Sequence, residues 1–284
     1  MKTYEEFYNI CRKNYIDQGE NPDQKINLYN LGMEIITPDS DSDLIELPKN
    51  YLKTIQKLSD KVNQKVDNIS EHYNDPSAQG EPLAIQIKNI WDIPELEQIA
   101  DSILPHLERN VFASYIHLSA IHIYRNIKFD GQPLSSWLWH YDNNPKEAVK
   151  MLVYLTDVGE DNAPFEYMVR DGEAKKMETS RTGFNHWKPP YIPNSRISAQ
   201  MISDLEKEGY KKKKITGPAG TILFFDNNII HRATSPKDGY RDVAIFNIRP
   251  AEFKIRPWVS EDTTGSWTHK SPIVDPSLLK PRLK

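Results

Sequence analysis

The rhythm of hydrophobic and polar positions changes near residue 115. Before it, apolar residues recur at helical spacing; after it, they alternate or run together in short blocks. Residues 1–17 predict a helix. Leu47 to His72 predict a long amphipathic one, because Leu52, Ile55, Leu58 and Val62 fall on one stripe. Pro48 lies in its first turn, where proline is tolerated. A further helix is predicted from Pro94 to Asn110, opened by Asp92-Ile93-Pro94-Glu95. An early proline and an acidic first turn both suit a helix N-terminus. Pro105 should kink that helix or end it early. Residues 18–43 and 73–82 are rich in loop-forming residues and read as loops.

From Tyr115 onward, β-branched and aromatic residues separated by short polar breaks predict strands. Tyr115 to Tyr124 (YIHLSAIHIY) alternates, which sets His117 and His122 on opposite faces and His122 on the face of Tyr124. Ala148 to Val158 (AVKMLVYLTDV) is a strong strand, and Gly220 to Asp226 and Asp242 to Ile248 are others. The β-pattern lapses between Arg170 and Thr216. A helix from Ser198 to Gly209 is expected there, with Gly209 as its left-handed stop, followed by the lysine run Lys211 to Lys214. A long insertion of this kind at the mouth of a barrel is often a lid, the other reading being a solvated excursion. The expected organisation is one domain over 1–284. A mainly helical part covers 1–110, a β core covers 111–256 with the insertion 170–216, and a tail covers 257–284.

Composition narrows the function classes. A chain of 284 residues with 38% hydrophobic and 10% aromatic residues can bury a full core. A net charge of −4 gives no reason to expect a nucleic-acid partner. Cys11 is the only cysteine, so no intramolecular disulfide is possible, which suits a reducing cytoplasm. The opening MKTYEEFYNICRKN has no apolar core, unlike a signal peptide, and no run approaches the roughly 18 apolar residues of a membrane span. A cytoplasmic protein without membrane or nucleic-acid partners is expected; oligomeric state is not legible.

The candidate chemistry lies in His140-Tyr141-Asp142, His231 and Arg241. Residues i and i+2 of a strand share a face, so His140 and Asp142 can aim an imidazole and a carboxylate at one ion. His231, just past the strand ending at Asp226, is the best third ligand. Two histidines and a carboxylate suit iron(II) with open coordination positions. Arg241, ten residues further on, opens another strand, and its guanidinium matches a carboxylate bidentately.

These residues resemble the iron(II)- and 2-oxoglutarate-dependent dioxygenases, and within them the phytanoyl-CoA dioxygenase-like group. The resemblance runs from about Trp137 to Pro250. It rests on Trp139-His140-Tyr141-Asp142, Leu155-Thr156-Asp157-Val158, Asn162-Ala163-Pro164-Phe165-Glu166-Tyr167, Gly217-Pro218-Ala219-Gly220-Thr221, and His231 through Arg241, all in family order. Many members follow the Asn-Ala-Pro-Phe phrase with Gly-Ser-His, where this chain has Met168 to Gly172.

The resemblance implies a mainly β, double-stranded β-helix (jelly roll, cupin-like) with flanking helices. It implies iron(II) on His140, Asp142 and His231, with 2-oxoglutarate as co-substrate and dioxygen as oxidant. Arg241 would hold the distal carboxylate of 2-oxoglutarate, helped by Tyr124 or His122. The carboxylate at Asp142 favours hydroxylation over halogenation, which needs that position vacant for chloride. A small or carrier-bound organic substrate would meet Glu166, Tyr167 and, less directly, Trp139. A strand neighbour of a ligand points away from it, so Trp139 also reads as core. The alternatives are a cupin-like metal-dependent isomerase and a non-catalytic jelly-roll binding protein. The histidine missing near His140 and the presence of Arg241 count against the first, and the complete ligand set against the second.

Overall fold

Two antiparallel β-sheets face one another, and helices cover the back of the larger. The computed structural model describes residues 3–66, 84–87, 90–128, 135–182 and 195–260. In chain order the elements are α1 (Tyr4–Asp17), β1 (Met33–Ile36), α2 (Tyr51–Val66), β2 (Ala84–Ile87), α3 (Pro94–Leu107), β3 (Tyr115–Ile127), β4 (Val149–Tyr154), β5 (Phe165–Arg170), β6 (Glu173–Ala174), α4 (Ala199–Lys207), β7 (Lys211–Ile215), β8 (Ile222–Asp226), β9 (His231–Arg232) and β10 (Tyr240–Ala251).

The larger sheet has the order β1-β8-β4-β10-β3-β2; in the smaller, β5 pairs with β6, β7 and β9. Strand alternation divides the larger sheet into two chemically distinct faces. Val149, Met151 and Val153 of β4, Phe224 of β8 and Phe246 and Ile248 of β10 pack outward onto Leu58 and Val62 of α2 and Leu96, Ile103 and Leu104 of α3. Leu152 and Tyr154, Leu223 and Phe225, and Val243 point the other way, onto Phe165 and Tyr167 of the smaller sheet. This is the expected jelly roll with flanking helices, and the space between its sheets is where a site can form.

Local sequence accounts for most element ends. Thr3 caps α1 in a reciprocal box with Glu6, and Ser198 caps α4. Gly209 takes φ +93° just past α4, so the predicted glycine stop is where it was expected. The α-helical part of α3 runs through Pro105 to Leu107 and then widens into a π-turn at Glu108–Phe112. Proline thus loosens the last turns without breaking the helix early.

Three expectations are revised. Met33–Ile36 lies within a predicted loop, yet forms a strand on β8, whose neighbours complete its otherwise weak pattern. Helix α2 begins at Tyr51, because Pro48 supplies the turn before it (Tyr51 N to Pro48 O, 2.8 Å) rather than its first turn. Its predicted end at His72 and the loop 73–82 lie outside the described residues, as does most of the 257–284 tail. The lysine run is not loop but β7, pairing residue for residue with β5, so the described part of the predicted insertion rejoins the sheet. There β7 is an edge strand, and its lysines are exposed. Charge on a free edge discourages pairing with another chain. No helix among the described residues is long and apolar enough to cross a membrane.

Candidate metal centre

A 3-10 turn at Ser135–Trp137 delivers the chain to His140, which sits on no long strand. Instead it forms single bridges to Arg196 on one side and His231 on the other. His140 and His231 exchange backbone hydrogen bonds of 3.0 and 2.8 Å. Tyr141 N donates the opposite way to Ser195 O (3.1 Å), and Asp142 N donates to Asn227 O (2.9 Å). The segment is therefore extended, and His140 and Asp142 project together as their spacing predicts. Asn143 then turns with φ 51°, a conformation asparagine tolerates better than most residues. Asn144 N donates to Asn228 Oδ1 (3.1 Å), and Asn228 Nδ2 returns a bond to Asn144 O (3.0 Å). These reciprocal amides lock the two ligand-bearing loops together.

His140, Asp142 and His231 offer three ligand atoms within 4.8 Å of one another, with His140 Nε2 3.8 Å from Asp142 Oδ1. Nδ1 of His140 lies 2.8 Å from Leu138 O, and Nδ1 of His231 lies 2.9 Å from Ile229 O. A carbonyl only accepts, so Nδ1 carries the hydrogen in both rings and Nε2 keeps its lone pair for a metal. Burial, then the neighbouring His231, pushes the His140 pKa down to about 3. Burial also lowers that of His231. Both imidazoles are neutral near pH 7, the form that ligates. Phe165 stacks on His231 with centroids 5.2 Å apart, and Phe225 meets it edge-on at 5.5 Å. Burial alone would raise the Asp142 pKa, but Lys150, then His231 and His140, hold it down to about 2. Lys150 Nζ lies 2.5 Å from Asp142 Oδ2. The donor set is two neutral imidazoles and one carboxylate on one side, which fits a divalent first-row metal.

Arg241 lies further along the same interior. It shares a face of β10 with Val243, and its side chain is 3% exposed. It donates to Ala163 O, and its guanidinium lies 6.0 Å from the Tyr154 ring centroid. With the Asn126 amide oriented to satisfy both partners, Oδ1 accepts from Arg241 Nε (3.3 Å) and Nη2 (3.1 Å). No carboxylate forms an ion pair with Arg241 among the described residues. Ala163 adopts φ 61° to turn its carbonyl onto this cation.

Tyr124 is paired in register with Val243 and His122 with Ile245, so both face the same interior. Their rings are stacked at 5.7 Å, and Gln86 Nε2 lies 3.3 Å from His122 Nδ1. Tyr167 is opposite His231 in register and shares its face. Glu166 and Trp139 are not brought to that face. Glu166 forms an ion pair with Arg232 (2.7 Å), and Arg232 lies over the Trp139 ring at 4.7 Å. Trp139 packs with Met168 and Ile230 against Ile202 and Leu205 of α4. Alternation explains both: each adjoins a residue that points inward.

Sequence reasoning missed two cations. Lys150 is a lone charge in an otherwise apolar strand, which was the available signal. Arg196 is set beside His140 by a bridge from a segment without β-pattern, and nothing local announced it.

Fold and donor set together define a jelly-roll protein with a candidate two-histidine, one-carboxylate metal centre. No protein-family model matches the chain. It is 25% identical over 126 residues to an L-proline trans-4-hydroxylase from Streptomyces griseoviridis, a match covering 38% of this chain and 45% of that protein. The chain thus spans less than half the length of this curated relative. Among solved structures, EctD from S. alaskensis with 2-oxoglutarate and 5-hydroxyectoine superposes with a TM-score of 0.51 at 18% identity, over 81% of this chain and 79% of that one. The apoform of EctD gives 0.50 over the same shares. These similarities establish the fold.

Proposed function

We propose that the protein is an iron(II)- and 2-oxoglutarate-dependent oxygenase that hydroxylates a small or carrier-bound organic substrate. One observation carries this reading: three convergent metal-ligating atoms share an interior with a buried guanidinium that meets no carboxylate among the described residues. A metal-dependent isomerase would need the first feature but not the second. The names of the matched proteins, a proline hydroxylase and a protein crystallised with 2-oxoglutarate, are consistent with it.

In this reading His140, Asp142 and His231 hold the metal on one side and leave the other side open. Lys150, beside Asp142, and Tyr154, beside Arg241, lie on one face of β4. A short dicarboxylate held by the metal at one end would turn its other end toward Arg241. His122 and Tyr124 line the way between. When bound, iron(II) and 2-oxoglutarate supply dioxygen activation, in which the keto acid becomes succinate and carbon dioxide while one oxygen atom enters a substrate C–H bond. The neutral histidines keep their ligand atoms unprotonated, and Phe165 and Phe225 exclude water from behind His231.

On the substrate side we retain Tyr167, which shares the face of His231, and add Arg196. Antiparallel partners directly opposite each other carry side chains on one face. Arg196 is therefore a neighbour of His140 and adds positive charge beside the ligand cluster. The buried, unpaired-by-disulfide Cys11 suits a cytoplasmic setting.

Anaerobic addition of iron(II) and 2-oxoglutarate tests the reading: a weak visible charge-transfer band and, in air, succinate formation are expected. His231→Ala should abolish both. Full succinate turnover in that variant would overturn the ligand assignment.

A further inference from the structure

Strand β4 carries one charged residue, and it points inward. Lys150 shares its face with Leu152 and Tyr154, and its register partners are Phe225 on β8 and Asn247 on β10. Its side chain is 17% exposed. An ammonium in such a setting must be paired, and the stem needs apolar walls along its length. Both conditions are met, and the partner is a candidate metal ligand. Lys150 Nζ engages Asp142 Oδ2 at 2.5 Å, while the other oxygen, Oδ1, is the one facing His140 Nε2 at 3.8 Å. The Asp142 backbone is fixed independently by its bond to Asn227 O.

We propose that Lys150 is a positioning residue that occupies Oδ2 of Asp142, so that the carboxylate presents Oδ1 alone to the metal. A carboxylate free to rotate can bind through both oxygens and fill a position that the co-substrate or dioxygen needs. One held on its far oxygen would offer the ion a single donor atom. The lysine has a strand as its base, so it orients Asp142 before any ion arrives. The inference rests on the metal reading above, and it makes a counterintuitive demand. Coulomb's law alone says that removing a cation from beside a divalent-ion site should tighten metal binding. Positioning says that it should weaken it.

The experiment is an anaerobic cobalt(II) titration of the 284-residue wild-type chain, Lys150→Met and Lys150→Arg, in competition with a chromophoric chelator. Far-UV circular dichroism and thermal unfolding accompany each to establish folding. Partners that orient metal ligands typically change affinity about 10- to 100-fold when removed. Lys150→Met should therefore bind cobalt(II) at least about tenfold more weakly, and Lys150→Arg, which keeps a charged donor, should recover most of the loss. If Lys150→Met does not fold, Lys150→Leu, which likewise lacks a donor, is judged by the same criterion. Unchanged or tighter binding in the uncharged variant overturns the proposal and leaves the metal reading standing. A wild type that binds no cobalt(II) overturns both.

Discussion

Replacing Arg241 by methionine separates the co-substrate's demand for this residue from the fold's. The side chain is 3% exposed, donates to Ala163 O and meets no carboxylate among the described residues. Without a ligand, its burial is a cost that the carbonyl, the Asn126 amide and the Tyr154 ring offset in part. Methionine forfeits the charged hydrogen bonds to Ala163 O and the Asn126 amide, each about 1.5–3 kcal/mol, but also removes the buried cation, so the two effects oppose one another. The net change should stay within about 2 kcal/mol, well inside the roughly 5–15 kcal/mol stability of a folded domain. With 2-oxoglutarate bound the balance differs, because the variant leaves a carboxylate buried opposite a thioether. Losing one partner of a buried pair costs about 3–5 kcal/mol, so affinity should fall by roughly a hundredfold or more. The assay is an anaerobic titration of the iron(II)-loaded protein with 2-oxoglutarate, read by calorimetry and the visible band. A folded Arg241→Met protein binding 2-oxoglutarate within about threefold of wild type would refute the argument.

Three further outcomes are expected. Both candidate ligand histidines have pKa values lowered by burial, His140 to about 3, so metal binding displaces no proton from them near neutrality. Cobalt(II) affinity should be flat between pH 7.5 and 6, whereas ordinary histidines would lose affinity steadily below 6.5; a tenfold loss would contradict the buried-neutral assignment. His122 is likewise lowered to about 4 by burial, then by Lys150. The unfolded chain therefore takes up a proton first, so stability is fully present above pH 6.5 and declines as pH falls toward 4, by on the order of 3 kcal/mol. His140 and His231 add to the same decline, so His122→Gln should make it shallower in urea melts, and an unchanged slope would count against the assignment. Glu166→Gln weakens the pair with Arg232, which is partly exposed, so a cost of only about 1–2 kcal/mol is expected. Substrate KM should not move, and a selective rise in KM would return Glu166 to the substrate pocket.

Much of this molecule was legible because its signals are local. The i, i+2 spacing of His140 and Asp142, the alternation of β3 and the glycine after α4 each state a geometry within a few residues. The faces of Trp139 and Glu166 follow from the same rule, applied to neighbours that point inward. What was illegible depends on partners distant in sequence. Met33–Ile36 is a strand because β8 accepts it, and Lys211–Lys214 is a strand because β5 does, although four lysines carry no β-pattern. Arg196 reaches the site by a bridge to His140 from a segment with no preference of its own. Lys150 was visible as an anomaly, but only Asp142 beside it gives the anomaly a meaning.

The bridge between His140 and His231 makes the centre a test of correct assembly. The two residues are far apart in sequence, and their imidazoles share a face only because each backbone answers the other's hydrogen bonds. Because side chains alternate along a strand, a slip of one residue would turn an imidazole to the α4 side and leave the ion two ligands or fewer. An ion held by both strands would also close a long loop, stabilising the correct pairing over its slipped rivals. Metal retention would then report strand register, and a chain that folds out of register could not be loaded.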